Sequence, residues 1–85
     1  MRRIGYKPSF IRRYKKLNQK LKNAVKAAVA DFAKGSSDHK LKVHTLRGAL
    51  KGYSSFSVNY SLRIIYREDK GTFTLLDIGT HDIYG

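Results

Sequence analysis

The chain has 85 residues, no cysteine and a formal net charge of +12 at pH 7. This length predicts one small domain, residues 1–85, and the lack of cysteine excludes disulfides and cysteine-based zinc sites. Neither an apolar run of about 18 residues nor a signal-peptide pattern occurs, so we expect a cytoplasmic protein without a membrane partner.

The positive charge is concentrated at the N-terminal end. Residues 1–30 contain ten lysines or arginines and no acidic residue. This distribution favours a polyanionic partner: nucleic acid first, an acidic protein second and an anionic membrane surface third. The simpler alternative is a solvated helix face that only keeps the protein in solution.

The first residues predict a strand followed by a helix. Residues 3–6 suit a short edge strand, and Pro8 suits the first helical turn because its missing N–H costs nothing there. One face of this helix carries apolar residues three and four apart: Phe10, Tyr14 and Leu17.

A longer apolar stripe indicates a second helix. Its members follow the helical period: Leu21, Val25, Ala28, Val29 and Phe32. Asn18 suits the N-cap of this helix, and Gly35 suits a left-handed residue that ends it. Because the link between the two helices is so short, we expect an antiparallel helical hairpin.

The C-terminal half predicts three strands in meander order. Residues 36–52 indicate mostly loop with short extended pieces. The pattern then changes to a period of two, and the apolar residues of the first two strands are Phe56, Val58, Tyr60, Leu62, Ile64 and Tyr66. A turn at residues 68–71 leads to a third strand at residues 72–78. With the helical hairpin on one face of the sheet, the fold class is α+β.

The chemistry that the sequence allows is acid/base and electrostatic. We find no zinc-ligand spacing, phosphate loop, dinucleotide glycine motif or serine triad, and we expect no metal and no cofactor. Histidine, arginine, lysine and tyrosine suit metal-free RNA cleavage. There a base takes the proton of the 2′-hydroxyl, cations stabilise the phosphoryl charge, and an acid protonates the leaving 5′ oxygen.

Four residues are candidates for this chemistry, and each has a simpler alternative. Arg63 is predicted mid-strand, facing away from its apolar neighbours, where an arginine is often only solvated. His81 follows the last strand, where a lone histidine is commonly structural. Tyr84 either stacks on a base or closes the end of the core. Arg47 precedes a glycine in a loop, where a surface role is the simpler explanation.

Four further aromatic residues can stack on bases: Tyr53, Phe56, Tyr60 and Tyr66. Strand spacing favours core packing for Phe56 and Tyr66. The same spacing does not decide between the two roles for Tyr53 and Tyr60.

Two C-terminal segments, read with the basic strand–helix–helix start, resemble a known family. The segments are LRGALKGYSSFSVNYSLRIIYRED and LLDIGTHDIYG. In order and spacing they are similar to the RelE/ParE superfamily of toxins from bacterial type II toxin–antitoxin pairs. The ending GTHDIYG and the loop DHKL are most similar to the YafQ-type branch.

The resemblance implies a fold and an activity. The fold is a two-helix hairpin against a small, mainly antiparallel sheet, as in RelE. The activity is endonucleolytic cleavage of mRNA in the ribosomal A site by the metal-free route, without a small-molecule cofactor. The implied partners are a cognate antitoxin that covers or distorts the site, the ribosome and mRNA.

The resemblance also implies roles for individual residues. Arg63 matches a strand arginine that contacts the scissile phosphate, and His81 matches a tail histidine that acts as general acid or base. Tyr84 matches a terminal aromatic residue that stacks on or orients the RNA. His39 matches a loop histidine, and His44 is the alternative for the same role. The residues expected to bind RNA are Arg47, Lys51, Arg67, Arg12, Arg13 and Lys16.

The first strand of the meander departs from the family pattern. Active relatives often carry a lysine or histidine that faces the RNA there, whereas Ser55 and Ser57 cannot titrate near neutral pH. The missing role then passes to His39, His44 or Lys51. Two alternatives to the endonuclease follow: a ParE-like inhibitor of DNA gyrase, and a module that binds RNA or an antitoxin without cleaving.

Overall fold

The computed structural model describes residues 1–48 and 52–80, which form two helices and one five-stranded sheet. In chain order the elements are β1 (Arg3–Tyr6), α1 (Pro8–Lys15), α2 (Gln19–Lys34), β2 (His44–Thr45), β3 (Ser54–Ser57), β4 (Arg63–Asp69) and β5 (Thr72–Gly79). The strands are ordered β1-β5-β4-β3-β2, with β1 parallel to β5 and all other neighbours antiparallel. The predicted α+β class, the β1 edge strand and the meander are confirmed.

Both helices begin where their sequence signals predict, and α2 also ends there, whereas α1 ends at Lys15, before Leu17 of its predicted apolar face. Pro8 opens α1, and the Asn18 side chain caps α2 by accepting a hydrogen bond from the Leu21 N–H at 2.9 Å. Gly35 ends α2 in the left-handed region with φ of 77°, where a β-carbon would be strained. Neither helix in the described part of the chain has the length and apolar character needed to span a bilayer.

The helices cover one face of the sheet, and the core forms between them. Phe32 of α2 stacks on Phe56 of β3 with ring centroids 4.3 Å apart, and Tyr66 of β4 packs beside both rings. Phe32 and Phe56 are fully buried and Tyr66 nearly so. The expected core positions of Phe56 and Tyr66 are therefore confirmed, and neither ring is accessible to a base.

The β3–β4 connection differs from the prediction. The alternating pattern predicts a strand that continues through Tyr60, but β3 ends at Ser57 and residues 58–61 form a turn. The reason is local: the Asn59 side-chain oxygen accepts hydrogen bonds from the N–H groups of Ser61 and Leu62, at 3.0 and 2.9 Å. Arg63 is consequently the first residue of β4 and does not lie mid-strand as predicted.

Arg2 joins the start of the chain to the end of α2 and the loop beyond it. Its guanidinium donates to both carboxylate oxygens of Asp38, at 2.7 and 2.6 Å, and to the Phe32 carbonyl at 3.0 Å. The same group lies 4.5 Å from the centre of the Phe32 ring and 4.9 Å from that of Phe73. The hydrogen bonds from Arg2 hold the pKa of Asp38 below its ordinary value. Sequence analysis did not identify this interaction.

We predict that Asp38→Asn lowers the free energy of unfolding by about 1 kcal/mol near neutral pH, because it removes the charge from the carboxylate that pairs with Arg2. The effect is modest because the pair is partly open to solvent. The folded-state pKa of Asp38 lies below the unfolded value near 3.8. This contribution is thus complete above the unfolded value and disappears as the pH falls through the folded one. Urea unfolding of both proteins at neutral and strongly acidic pH measures the difference.

The control for this experiment is Asp69→Asn, an equally conservative change of an exposed carboxylate at the end of β4. We expect it to change stability little at either pH. A loss in Asp38→Asn that persisted unchanged in acid would contradict the ion pair as its cause.

Candidate nucleic-acid interface

Arg63 and Ser57 lie side by side on the sheet face opposite the helices. They are directly paired across β3 and β4, and the adjacent pair, Phe56 and Ile64, points into the core. Since neighbouring residues of a strand point to opposite faces, Ser57 and Arg63 point away from the core. The Arg63 Nη1 donates to the Ser57 Oγ at 2.8 Å. The hydroxyl therefore fixes the orientation of a half-buried guanidinium.

An open cavity of about 470 Å³ lies beside this pair. The described residues that line it are Lys40, Leu41, Lys42, Ser57, Val58, Asn59, Tyr60, Ser61, Arg63 and Thr80. They include three cations and no carboxylate, so the cavity suits an anion. Arginine binds two phosphate oxygens through its planar fork, and lysine binds phosphate as a point charge.

The two lysines of the cavity stand on a loop that is fastened to β3. The carbonyl of Leu41, which is itself buried, accepts a hydrogen bond from the Ser57 N–H at 2.7 Å. The N–H of Val43 donates to the Asp38 carbonyl at 3.1 Å. The loop is thus bonded to the strand at the residue whose side chain orients Arg63. Lys40 also lies 3.8 Å from Asp31, a weak and mostly exposed pair.

A second open cleft, of about 560 Å³, continues the positive surface towards α1. Its walls include Arg13 and Lys16, and it shares Thr80 with the first cavity. Arg13 also pairs with Asp77 at 3.0 Å, while Arg12 is exposed on the same helix. Together the two cavities form a basic track, from Lys42 past Arg63 to Lys16.

His44 lies on the same sheet face as Arg63. It pairs with Ser55 across β2 and β3, and Ser55 pairs with Ile65, two residues along β4 from Arg63. The exposed His44 ring is held by a 2.8 Å hydrogen bond between its Nδ1 and the Lys42 carbonyl. Ser55 is fully buried, so of the two serines that depart from the family pattern only Ser57 borders the cavity.

The other predicted residues are more scattered. His39 is exposed in the turn after α2 and is not among the described residues that line the cavity. Arg47 and Arg67 are exposed, the former after β2 and the latter on β4. Lys51, His81 and Tyr84 lie outside the described residues. Within residues 1–48 and 52–80, no cluster of histidine and carboxylate side chains could hold a metal ion.

Sequence reasoning missed two features of the cavity. It treated Ser57 only as a departure from the family pattern and did not identify it as the partner of Arg63. It also passed over Lys40 and Lys42. Their one signal in the sequence is that they alternate with the apolar residues Leu41 and Val43.

The comparisons with known proteins agree with this architecture. Residues 2–84 match the model of a family described as YafQ, a bacterial toxin of type II toxin–antitoxin systems. The chain belongs to the YafQ family. It is therefore a toxin of the type II toxin–antitoxin class, and the predicted YafQ-type resemblance is confirmed. A comparison with curated proteins gives no match.

Solved structures of several toxins share the fold. The crystal structure of YafQ from Escherichia coli is 24% identical, covers all of both chains and has a TM-score of 0.77. A conserved hypothetical protein of Helicobacter pylori is 20% identical over 96% of this chain and 97% of its own, with a TM-score of 0.73. The toxin chain matched in the E. coli DinJ–YafQ complex is 25% identical over 98% and 97% of the two chains, also with a TM-score of 0.73.

We predict that Ser57→Ala destabilises the toxin by about 1 kcal/mol, because it removes the hydroxyl that accepts from Arg63. The loss should become smaller when Arg63 is already replaced by methionine, since the pair then no longer exists. Urea unfolding of the two single variants and the double variant measures this coupling.

Ser61→Ala, at an exposed position in the neighbouring turn, is the matched control and should change stability by less than about 0.5 kcal/mol. Equal losses from Ser57→Ala in both backgrounds would argue against the hydrogen bond.

Proposed function

We propose that this YafQ-family toxin is a metal-free endoribonuclease that cleaves mRNA in the ribosomal A site, in the cytoplasm. One observation carries the proposal: an oriented arginine and two lysines line one open cavity beside the sheet. His44 lies on the same sheet face as Arg63, outside the described residues that line the cavity. The cations suit the scissile phosphate, and the histidine suits proton transfer.

The hydrogen bond of His44 favours a role as general base. A backbone carbonyl can only accept, so the ring nitrogen that faces the Lys42 carbonyl carries the proton. In the neutral ring the lone pair is then on Nε2, which is free of that bond and can take the proton of the 2′-hydroxyl. We assign the opposite role to His81, as the general acid, and retain Tyr84 as the residue that orients the RNA.

The cleavage step balances without a co-reactant. The 2′-oxygen attacks phosphorus as its proton passes to His44, and the bond between phosphorus and the 5′ oxygen breaks. The leaving oxygen takes a proton from His81, which yields a 2′,3′-cyclic phosphate and a 5′-hydroxyl. Arg63 and Lys42 stabilise the extra negative charge on the phosphoryl oxygens in the transition state.

His44 is a better partner for this chemistry than His39. It shares the sheet face of Arg63 through the β2–β3–β4 register, whereas His39 projects from the turn after α2. Within this proposal we therefore assign the role of general base to His44 and not to His39.

We also propose an antitoxin as the regulatory partner of the toxin. The E. coli relative has been crystallised in the DinJ–YafQ toxin–antitoxin complex, and the family is described by such pairs. A net charge of +12 favours an acidic antitoxin segment over a basic one. The same charge favours docking of the basic α1 face, with Arg12, Arg13 and Lys16, on ribosomal RNA.

We predict that Arg63→Gln and His44→Gln abolish the new mRNA 5′ ends that appear when the wild-type toxin is induced. Loss of a general base lowers a rate by about a hundredfold to ten thousandfold, and loss of the phosphate-binding fork has an effect of similar order. His39→Gln is the matched histidine control and should still cut. Mapping of mRNA 5′ ends after induction compares the four strains.

Two other results of that experiment would replace the proposal. Growth arrest with intact mRNA and impaired DNA supercoiling would identify the toxin as a gyrase inhibitor. Absence of both arrest and cuts, with the protein folded and expressed, would leave a binding module.

We predict that binding of the toxin to ribosomes weakens steeply as the salt concentration rises, because neutralised phosphates release counterions. Replacing Arg12 and Lys16 by glutamine should reduce the slope of log affinity against log salt by about 0.7–0.9 for each phosphate that the toxin then leaves unneutralised. Lys34→Gln, at the exposed end of α2, is the control and should leave the slope unchanged. A flat response in the wild type would contradict docking on ribosomal RNA.

A further inference from the structure

Tyr60 is an exposed aromatic residue with no packing role in the fold. Its side chain is 98% exposed, although its neighbours in the alternating pattern, Phe56 and Leu62, are buried in the core. The ring stands in the turn between β3 and β4, at the rim of the cavity that contains Lys40, Lys42 and Arg63. An aromatic face beside several cations is the arrangement that single-stranded nucleic acids require.

The turn that carries Tyr60 is held by hydrogen bonds on both sides of the ring. The Asn59 side chain accepts from two backbone N–H groups, those of Ser61 and Leu62, and the Val58 N–H donates to the Leu62 carbonyl at 2.8 Å. These bonds hold the backbone on both sides of Tyr60. A tyrosine has few rotatable bonds, so a ring on a fixed turn loses little conformational entropy when a ligand stacks on it.

The cations near Tyr60 are suited to the backbone of the same ligand. Lys40 and Lys42 are exposed and line the same cavity, on the loop that is bonded to Ser57. Arg63 also lines the cavity, with its guanidinium oriented by Ser57. A nucleotide can therefore present its base to the ring while its phosphates lie among the cations. Stacking on an aromatic face tolerates different base sequences because every base has a π face.

We propose that Tyr60 is the base-stacking residue of the single-stranded RNA site, and that it holds a nucleotide adjacent to the phosphate bound by Arg63. This inference rests on the proposed RNA-binding function and adds to it the residue that grips a base. Tyr60 binds the substrate and takes no part in proton transfer. Its effect therefore falls on the affinity for RNA and on KM, whereas kcat changes little.

The test is fluorescence anisotropy with a short, labelled, fully 2′-O-methylated oligoribonucleotide, which cannot be cleaved because it lacks the free 2′-hydroxyl. We expect Tyr60→Leu to weaken binding about tenfold, since leucine keeps the bulk of the side chain but not the π face. Tyr60→Phe should bind within about twofold of the wild type. Tyr6→Leu changes a half-exposed tyrosine on the far edge of the sheet and should also bind within about twofold of the wild type. Circular dichroism melts verify that each variant is folded.

A second oligonucleotide separates stacking from indirect effects. It has the same length but lacks the bases, so only the sugar–phosphate backbone remains. We expect the wild type to bind it more weakly, and Tyr60→Leu to bind it as well as the wild type does. Equal weakening of Tyr60→Leu for both oligonucleotides would overturn the inference, because the ring would then act on the backbone or on the turn.

The outcomes also separate this inference from the proposed function. Unchanged affinity of Tyr60→Leu for the base-containing oligonucleotide overturns base stacking and leaves the endonuclease proposal standing. Base-dependent binding through Tyr60 in a toxin that cuts no mRNA supports the stacking site and rejects the endonuclease. If the wild type binds neither oligonucleotide, while Tyr60→Leu releases a purified antitoxin, the ring belongs to a protein interface and the inference fails.

Discussion

The guanidinium of Arg2 connects three segments that are distant in the sequence: the start of β1, the end of α2 and the loop after α2. A planar cation can lie against aromatic rings and still donate hydrogen bonds in its own plane. The guanidinium therefore contacts the rings of Phe32 and Phe73 while it donates to Asp38 and to the Phe32 carbonyl. Asp38 begins the loop that bonds to Ser57 through the Leu41 carbonyl. The position of the cavity lysines therefore depends on a contact made by the second residue of the chain.

Among the five acidic residues that lie within residues 1–48 and 52–80, three form ion pairs. Asp38 pairs with Arg2, Asp77 with Arg13 and Asp31 with Lys40. These pairs hold local structure but neutralise only a small part of the positive charge. The track from the loop lysines past Arg63 to α1 is consequently positive along its length, as a surface that meets an RNA backbone must be.

Ser57 contributes to the cavity through its neighbour and not through acid/base chemistry of its own. Its hydroxyl cannot exchange a proton near neutral pH, but it accepts a hydrogen bond from Arg63 and so orients a cation. The orientation of Arg63 then suits electrostatic stabilisation of a phosphate. In the proposed cleavage step, proton transfer is assigned to His44, which lies on the same face because β2 extends the sheet beyond β3.

The sequence by itself determined the elements and the family of this toxin. Apolar periodicity identified the helices, and their boundaries were indicated by Pro8, Asn18 and Gly35. These signals are local because capping and helical packing depend on residues only a few positions apart. The alternating pattern likewise predicted the meander and the buried places of Phe56 and Tyr66. It failed at Tyr60, because the side-chain oxygen of the neighbouring Asn59 accepts hydrogen bonds from the backbone of Ser61 and Leu62 and so turns the chain before the pattern ends. Only the tertiary structure decided that Ser57 meets Arg63, that Arg2 holds Asp38, and that His44 shares the face of Arg63 while His39 projects elsewhere. The relations of Ser57 and His44 to Arg63 depend on which strands pair and in which register, whereas Arg2 meets Asp38 where the start of the chain reaches the loop after α2. Neither kind of contact leaves a periodic signal in the sequence.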